Sequence, residues 1–206
     1  METRVVSISR TLAARGEEVG RLVADELGFR YVDDEVIIRA SAQAGVSPAT
    51  IAQEEHSRSL SDRIREAISA EHIQFEGAPV TLSPGRADRE NYQGLIQWVV
   101  QDTAREGQVV FVAHGTAITL ANMSGNLRVL ITASPEVRAD RLMDGDGLNQ
   151  RQARKAVQDS DRERQNFFRR FSNLRQELPT HYDLVVNTER LTVPEAAKLV
   201  VLAARG

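Results

Sequence analysis

The segment at residues 4–28 constrains the fold of this chain more than any other. It begins with an apolar run of strand length at 5–8 and breaks at Ser9, Arg10 and Thr11. Apolar residues then recur at spacings of three and four, as on one face of a helix: Val19, Leu22, Val23 and Leu27. A glycine directly after this stripe is a common helix end. The segment therefore predicts a strand, a turn and a helix, which is the first half of a βαβ unit.

The N-terminus of such a helix directs free N–H groups at whatever lies above the strand, which favours phosphate binding. A phosphate loop of the form G-x-x-x-x-G-K-[ST] can be laid on residues 11–18. Only Gly16 agrees with it, because Glu17 stands at the lysine position and Glu18 at the hydroxyl position. Phosphate binding and an ordinary βα turn therefore both remain open for this turn.

Length and composition narrow the classes of protein. A chain of 206 residues with 41% hydrophobic content fits one α/β domain covering 1–206. The sequence has no cysteine, which excludes disulfides and thiolate metal sites and suits a reducing cytoplasm. No apolar run reaches the roughly 20 residues of a membrane span, and no signal-peptide core is present at the start. With a net charge of −3, neither a membrane nor nucleic acid is expected as a partner.

Four further segments have the apolar character and length of strands. They lie at 29–32, 108–113, 127–132 and 183–187. Because they alternate with helical patterns, they predict an open parallel sheet with helices on both faces. Ligands of such sheets bind beyond the strand C-termini. The candidate site segments are therefore 9–20, 33–39, 114–116, 134 and 187–188.

Helices are predicted between these strands from apolar spacing and from start signals. The predicted helices cover 36–40, 48–73, 92–107 and 149–173, and the last of them is long and polar. Ser134 followed by Pro135 is a typical helix start, and Thr192 with Glu195 has the spacing of a capping box.

Four blocks of sequence resemble the cytidylate kinase-like family of P-loop nucleoside monophosphate kinases. They lie at 8–37, 109–118, 127–142 and 159–191. The resemblance implies a three-layer α/β fold with a five-stranded parallel sheet of order 2-3-1-4-5. It also implies a helical lid at about 144–175. The activity it implies is phosphoryl transfer from ATP with Mg²⁺ to CMP or a related nucleotide.

The chain departs from the family's pattern in the phosphate loop. Ala13, Ala14 and Arg15 stand where the family has Gly-Ser-Gly, and Glu17 stands where it often has arginine. His114 replaces an arginine after the third strand. Loss of glycine restricts close approach of a phosphate to the backbone, and a carboxylate has the wrong sign for one.

The resemblance implies three groups of site residues. The nucleotide-binding group is Arg10, Ala14, Arg15, Gly16, Glu17 and Glu18. The acceptor-binding group is Asp33, Arg39 and His114, with Asp33 and Arg39 at the family's spacing. The lid group, which would neutralise charge during transfer, is Lys155, Arg162 and Arg164. Structural alternatives exist for each: surface arginines with helix-start ion pairs, an N-cap aspartate with a solvated arginine, and a core histidine.

The basic segment at 151–175 allows two other interpretations. It can be a solvated helix face, as most runs of charge are, or a nucleic-acid patch that the net negative charge disfavours. At the level of function, the alternatives to a kinase are a catalytically inactive nucleotide-binding regulatory protein on the same fold and a basic-helix binding module.

Overall fold

The computed structural model describes residues 3–33, 100–101, 104–113, 115–171, 174 and 176–206. The helices predicted at 36–40 and 48–73 lie outside the described residues, as do Arg39 and His114. Of the helix predicted at 92–107, residues 100–101 and 104–107 are described. Residues 100–101 and 104–106 are helical, and Gly107 follows them with φ 74°.

Five strands form one sheet in which every neighbouring pair is parallel. The order is β2-β3-β1-β4-β5, which confirms the predicted fold. The strands are β1 (Val5–Arg10), β2 (Arg30–Val32), β3 (Val109–Val112), β4 (Asn126–Thr132) and β5 (Leu184–Asn187).

The central position of β1 explains why its apolar run is continuous. The strand pairs with β3 on one side and β4 on the other. Successive side chains point to opposite faces, so Val6 and Ile8 enter one core and Val5 enters the other. All three are fully buried. A strand covered on both faces has to be apolar at nearly every position.

Described helices cover both faces of the sheet. They are α1 (Gly16–Leu27), α2 (Thr116–Thr119), α3 (Pro135–Asp146), α4 (Gln150–Phe171) and α5 (Val193–Arg205). Helices α1 and α5 share the core of Val6 and Ile8, whereas Val100 and Ala104 share that of Val5. None of the helices among the described residues is long and apolar enough to cross a membrane.

The predicted helix boundaries rest on caps that the structure contains. Gly28 ends α1 in the left-handed conformation, with φ 67°. The Ser134 hydroxyl accepts a hydrogen bond from the Val137 N–H at the start of α3. Thr192 and Glu195 form the predicted capping box of α5. Each cap uses groups close in sequence, so local patterns located them well.

Helices α3 and α4 form a hairpin with a small core of its own. Ala139 and Leu142 of α3 pack against Ala153 and Val157 of α4. Residues 12 and 13, which follow β1, pack against the same core. The segment that was predicted from the sequence to be a lid therefore contacts the turn between β1 and α1 directly.

Candidate functional site

The turn between β1 and α1, residues 11–15, has an unusual backbone for its sequence. Ala13 has φ 58° and Arg15 has φ 64°, both in the left-handed region. This conformation costs a non-glycine residue roughly 1–2 kcal/mol. These two positions are those at which the resemblance places glycine. The loop therefore keeps a glycine-type backbone although the glycines are absent.

Two side chains, one from the hairpin and one directly after β5, hold this loop, and we call Arg141 and Thr188 the loop clamp. The Arg141 Nη1 donates to the Ala13 carbonyl at 3.0 Å, and its Nη2 donates to the Thr188 carbonyl at 2.5 Å. The buried Thr188 hydroxyl donates to the Ala14 carbonyl at 2.9 Å. Burial, followed by the charge of Arg15, lowers the pKa of Arg141. The clamp fixes two successive loop carbonyls, which stabilises the left-handed backbone.

Three residues shape the N-terminus of α1: Arg10, Arg15 and Gly16. Arg15 occupies the N-cap position and provides no side-chain cap. Helix geometry leaves the first N–H groups without an intrahelical acceptor. The aliphatic part of Arg10 lies over Gly16, where an added Cβ would come within 2.5 Å of the Arg10 Cβ. Gly16 is therefore required for the packing of Arg10.

Arg10 also meets the carboxylate that replaces the usual lysine. Its Nε donates to Glu17 Oε1 at 2.6 Å, and its side chain is only 13% exposed. Arg15 pairs with Glu18 at 3.0 Å on the open surface, a contact of little energetic value. Of Arg10 and Arg15, Arg10 is the one that pairs with Glu17, the acid at the lysine position of the loop template.

A buried arginine joins α4 to the end of β1. The Arg164 guanidinium donates to the Ser9 hydroxyl at 2.7 Å and to the Arg10 carbonyl at 2.8 Å. It also donates to both carboxylate oxygens of Glu177, at 2.7 and 2.6 Å. Tyr182 donates its hydroxyl to Glu177, and burial followed by that carboxylate raises the pKa of Tyr182. We call Ser9, Arg164, Glu177 and Tyr182 the buried arginine network.

A second buried arginine joins the two helices of the hairpin. Arg138 is 3% exposed and donates to both oxygens of Asp161, at 2.8 and 2.6 Å. Between this pair and the buried arginine network lies a cavity of about 390 Å³. The residues that line it are all polar: Thr11, Arg138, Asp161, Arg162, Arg164, Gln165, Gln176 and Glu177.

The two remaining lid residues are exposed. Lys155 donates to Asp159 at 2.5 Å, and Arg162 lies 3.6 Å from the other oxygen of that carboxylate. The hydrogen bond from Lys155 is the main reason that the pKa of Asp159 is lowered. The side chains of Lys155 and Arg162 are 73% and 69% exposed. Of the lid group, Arg162 and Arg164 line the cavity and Lys155 does not.

Of the predicted acceptor group, only Asp33 is described. It lies 3.9 Å from Arg21 on α1. Arg21 also stacks over the Tyr31 ring, with 5.1 Å from its guanidinium carbon to the ring centroid. Burial and the Asp33 charge raise the pKa of Tyr31. Asp33 therefore lies beside α1, and its relation to Arg39 and His114 stays a prediction.

Several residues that shape the site were not singled out in the sequence. Ser9 and Thr188 fell within the predicted strand ends, but Arg138, Arg141, Asp161, Glu177 and Tyr182 were not identified. The three-residue spacing of Arg138 and Arg141 inside a resembling block was the signal available. Within the described part of the chain, no group of three or more metal-ligating side chains is present.

Comparisons with known proteins agree with this arrangement. Residues 5–190 match the sequence model described as the cytidylate kinase-like family. No curated protein gave a significant match.

Three solved structures illustrate the likeness in fold. An uncharacterized protein from Eubacterium ventriosum superposes with a TM-score of 0.66 at 11% identity, covering 97% of each chain. Shikimate kinase from Bacteroides thetaiotaomicron gives 0.55 at 12% identity, again covering 97% of each chain. Shikimate kinase from Acinetobacter baumannii, in complex with shikimate, gives 0.54 at 12% identity, covering 98% of this chain and 92% of the other. At such identities the superpositions show a common kinase fold.

Proposed function

The chain belongs to the cytidylate kinase-like family, and we propose that it is a phosphotransferase acting from ATP to CMP or a related nucleotide. The observation that supports activity best is the backbone of loop 11–15. Left-handed backbone at Ala13 and Arg15 is costly and persists only where its surroundings impose it. Here the loop clamp imposes it, as expected if the shape of the loop is needed for a ligand.

In this proposal the donor phosphates lie at the N-terminus of α1. Arg15 and Gly16 would present N–H groups, since the Ala14 N–H already donates to the Thr11 carbonyl at 3.1 Å. Arg10 would supply the cation that the loop lysine supplies elsewhere. Arg15 and Glu18 would flank the donor site at the surface. Arg10 is already within hydrogen-bonding distance of Glu17, so its guanidinium is in reach of the first helical turn.

Mg²⁺ would accompany the ATP. This cation is usually held by one or two carboxylates together with substrate phosphates, and it does not require a cage of protein ligands. In this proposal the phosphates hold the metal, and the carboxylates of Glu17 and Glu18 lie close by in the first turn of α1 without being its ligands. The metal would screen the phosphate charge from these carboxylates.

The acceptor and lid roles follow the family pattern. Asp33, Arg39 and His114 would bind the acceptor nucleotide. Lys155 and Arg162, exposed on α4, would approach the phosphates and exclude water when the lid closes. Arg164, also in the lid group, lies 2.8 Å from the Arg10 carbonyl and would act at the base of the loop.

One observation favours the alternative, a nucleotide-binding regulatory protein without turnover. Glu17 holds the nearest cation, Arg10, and the stem of Arg10 fills the space over Gly16. A ligand at the helix terminus would have to displace this pair or recruit Arg10 from it. Binding without efficient catalysis is the outcome if that exchange is incomplete.

The deciding experiment is a coupled assay of ADP formation with a panel of nucleoside monophosphates, alongside ATP affinity by calorimetry at fixed Mg²⁺ and salt. ADP formation that requires CMP or a close relative supports the kinase. ATP binding with no acceptor-dependent ADP supports the regulatory alternative. Absence of ATP binding would refute both.

A matched pair of variants locates the donor site. Glu17→Lys removes the carboxylate at the lysine position, whereas Glu18→Lys makes the same charge change one residue away. We expect Glu17→Lys to tighten ATP binding about tenfold, equivalent to about 1.4 kcal/mol. Glu18→Lys should have a smaller effect. Equal effects would indicate only long-range electrostatics, and unchanged binding in Glu17→Lys would remove the donor site from this helix terminus.

A further inference from the structure

The two edges of the sheet differ in how they are protected. Among the described strands, β2 forms one edge and begins with Arg30, which pairs with Glu106 at 2.8 Å and places charge there. The other edge is β5, whose four residues, Leu184–Asn187, include neither a charge nor a proline. An edge strand presents unpaired backbone N–H and C=O groups, and natural proteins usually guard it with charges or proline. The edge of β5 lacks this protection against pairing with another chain.

Exposed apolar side chains are concentrated at this same edge. Among the described residues, the large apolar side chains that are exposed all lie between positions 178 and 202: Leu178, Val185, Leu199 and Leu202. One of them is on β5, and two are on α5, which shares a core with that strand. Single exposed leucines are common on protein surfaces, whereas apolar residues gathered around an open sheet edge indicate an interface.

These residues lie on both faces of the edge. Leu184 and Val186 point into the core that α1 and α5 cover, so Val185, between them, points to the opposite face. On the covered face, Leu199 and Leu202 lie three residues apart on the side of α5 away from its core. A chain that pairs with β5 therefore has apolar residues to cover on both sides of the sheet.

We infer that the β5 edge is the interface of a homodimer, in which β5 pairs antiparallel with β5 of a second copy. An edge strand is complementary to itself in this arrangement, because a twofold axis sets its donors opposite the acceptors of an identical strand. In a pair centred on Val185, the two Val185 side chains meet at the axis. Asp183, whose charge is held by Arg128, then faces the uncharged Asn187 of the second copy, so no like charges are opposed.

The same axis brings the two α5 helices together. Because it is perpendicular to the joined sheet, both helices lie on one face and run antiparallel, with Leu199 and Leu202 between them. Glu195 is at the start of α5 and Arg205 at its end, so antiparallel helices direct each acid toward the base of the other copy. One short strand and the flank of one helix make a small interface. We therefore expect a reversible dimer with a dissociation constant roughly in the micromolar range.

Disulfide formation tests the pairing directly, because the chain contains no cysteine of its own. Val185→Cys introduces a thiol at the proposed axis, and Leu178→Cys introduces one outside β5 at a position of matched exposure, 42% against 41%. We expect mild oxidation of the full chain to convert most of Val185→Cys into a covalent dimer and little of Leu178→Cys, because only residues that face each other at the axis come within disulfide reach. Equal yields in the two variants, or no dimer in Val185→Cys, would overturn the inference.

Sedimentation velocity over a concentration series measures the association without a cross-link. We expect the wild type to pass from one chain to two as its concentration rises. Val185→Lys sets two like charges opposite each other, so it should raise the dissociation constant about tenfold or more, whereas Leu178→Lys should change it less than twofold. A wild type that stays monomeric up to about 1 mM, or a dimer that Val185→Lys does not weaken, would contradict the β5 interface.

Leu202→Lys examines the helix flank in the same experiment, and we expect it to weaken the dimer as well. A dimer that responds to Leu202→Lys and not to Val185→Lys would pair through α5 alone, which would overturn the pairing of β5. Neither measurement uses a nucleotide. The proposed function can therefore fail while this inference stands, and the inference can fail while the kinase is active.

Discussion

The α3–α4 hairpin carries two kinds of basic side chain that its sequence does not distinguish. Arg138 and Arg164 are nearly fully buried and hold carboxylates through bidentate contacts. Lys155 and Arg162 are largely exposed and share the single carboxylate of Asp159. Arg138 and Arg164 therefore use their positive charge in buried ion pairs, whereas Lys155 and Arg162 expose theirs to solvent and ligands.

This comparison separates two parts of the segment that was predicted to be a lid. Arg164 lies two positions after Arg162 on α4, yet only Arg164 reaches the end of β1. The C-terminal half of the helix is thereby attached to the residues that lead into loop 11–15. The exposed cations can move toward a ligand with little cost, whereas Arg164 can move only by breaking the buried arginine network.

The largest effect should come from breaking the buried arginine network. Arg164→Met leaves Glu177, whose side chain is only 18% exposed, without its cation. Breaking a buried pair in this way typically costs about 3–5 kcal/mol of folding free energy. Urea unfolding followed by circular dichroism measures this directly. The double variant Arg164→Met/Glu177→Leu removes both charges, so it should be more stable than the sum of the single variants predicts. A loss below about 1 kcal/mol in Arg164→Met, as for a surface pair, would contradict the distinction between the two sets.

The loop clamp should show the next largest effect. Thr188→Val keeps the shape of the side chain but removes the buried hydroxyl that donates to the Ala14 carbonyl. A buried carbonyl left unpaired costs about 1–3 kcal/mol. Denaturant unfolding measures the stability. Thr192→Val, at the surface cap of α5, is a control for which we expect a loss of about 1 kcal/mol. Equal losses would show that the clamp carries no more energy than an ordinary cap.

Much of the fold follows from local sequence. The run Val5 to Ile8 could be identified as a central strand because burial on both faces demands continuous apolarity. The caps at Gly28 and Ser134 could also be predicted from the sequence, because the groups with which they form hydrogen bonds lie within four residues. The long polar helix predicted at 149–173 is observed as α4.

The site was less predictable because its contacts join residues far apart in the chain. Arg164 meets a carbonyl 154 residues away, and Arg141 meets one 128 residues away. In sequence these two arginines look the same as exposed Arg162. The left-handed backbone at Ala13 could not be predicted either, because alanine does not favour a positive φ and here distant side chains impose it.

A pH-dependent prediction concerns a pair of intermediate exposure at the sheet edge. Asp183 accepts hydrogen bonds from the Arg128 backbone N–H and from its guanidinium, at 2.9, 3.0 and 2.6 Å. These bonds lower the pKa of Asp183. Because a lowered pKa belongs to the folded state, the stabilisation is complete above the ordinary aspartate pKa of about 4 and is lost as the pH falls through the lowered value.

Asp183→Asn tests this contact. We expect the variant to lose about 1 kcal/mol or less at pH 7, because the pair is partly exposed and salt screens it. The difference from the wild type should begin to shrink as the pH falls below about 4, where the carboxyl of the unfolded chain becomes protonated, and should vanish below the lowered pKa of the folded state. Thermal unfolding at a series of pH values gives both quantities. A difference that stays constant down to acid pH would show that the charge of Asp183 is not the stabilising feature.

The smallest effect on stability, and the most informative contrast, is expected for the exposed cations. Lys155→Met and Arg162→Met remove charges from a solvated ion pair, so each should change the unfolding free energy by less than about 0.5 kcal/mol. If the proposed transfer occurs, the same variants should slow ADP formation, because the lid cations act on the phosphates only when it closes. Arg151→Met, at the exposed start of α4, is the matched control for both measurements. Unchanged stability with slower turnover would assign Lys155 and Arg162 to the ligand. Unchanged stability with unchanged turnover would make them part of a solvated face, and a large loss of stability would remove the difference between the two sets of cations.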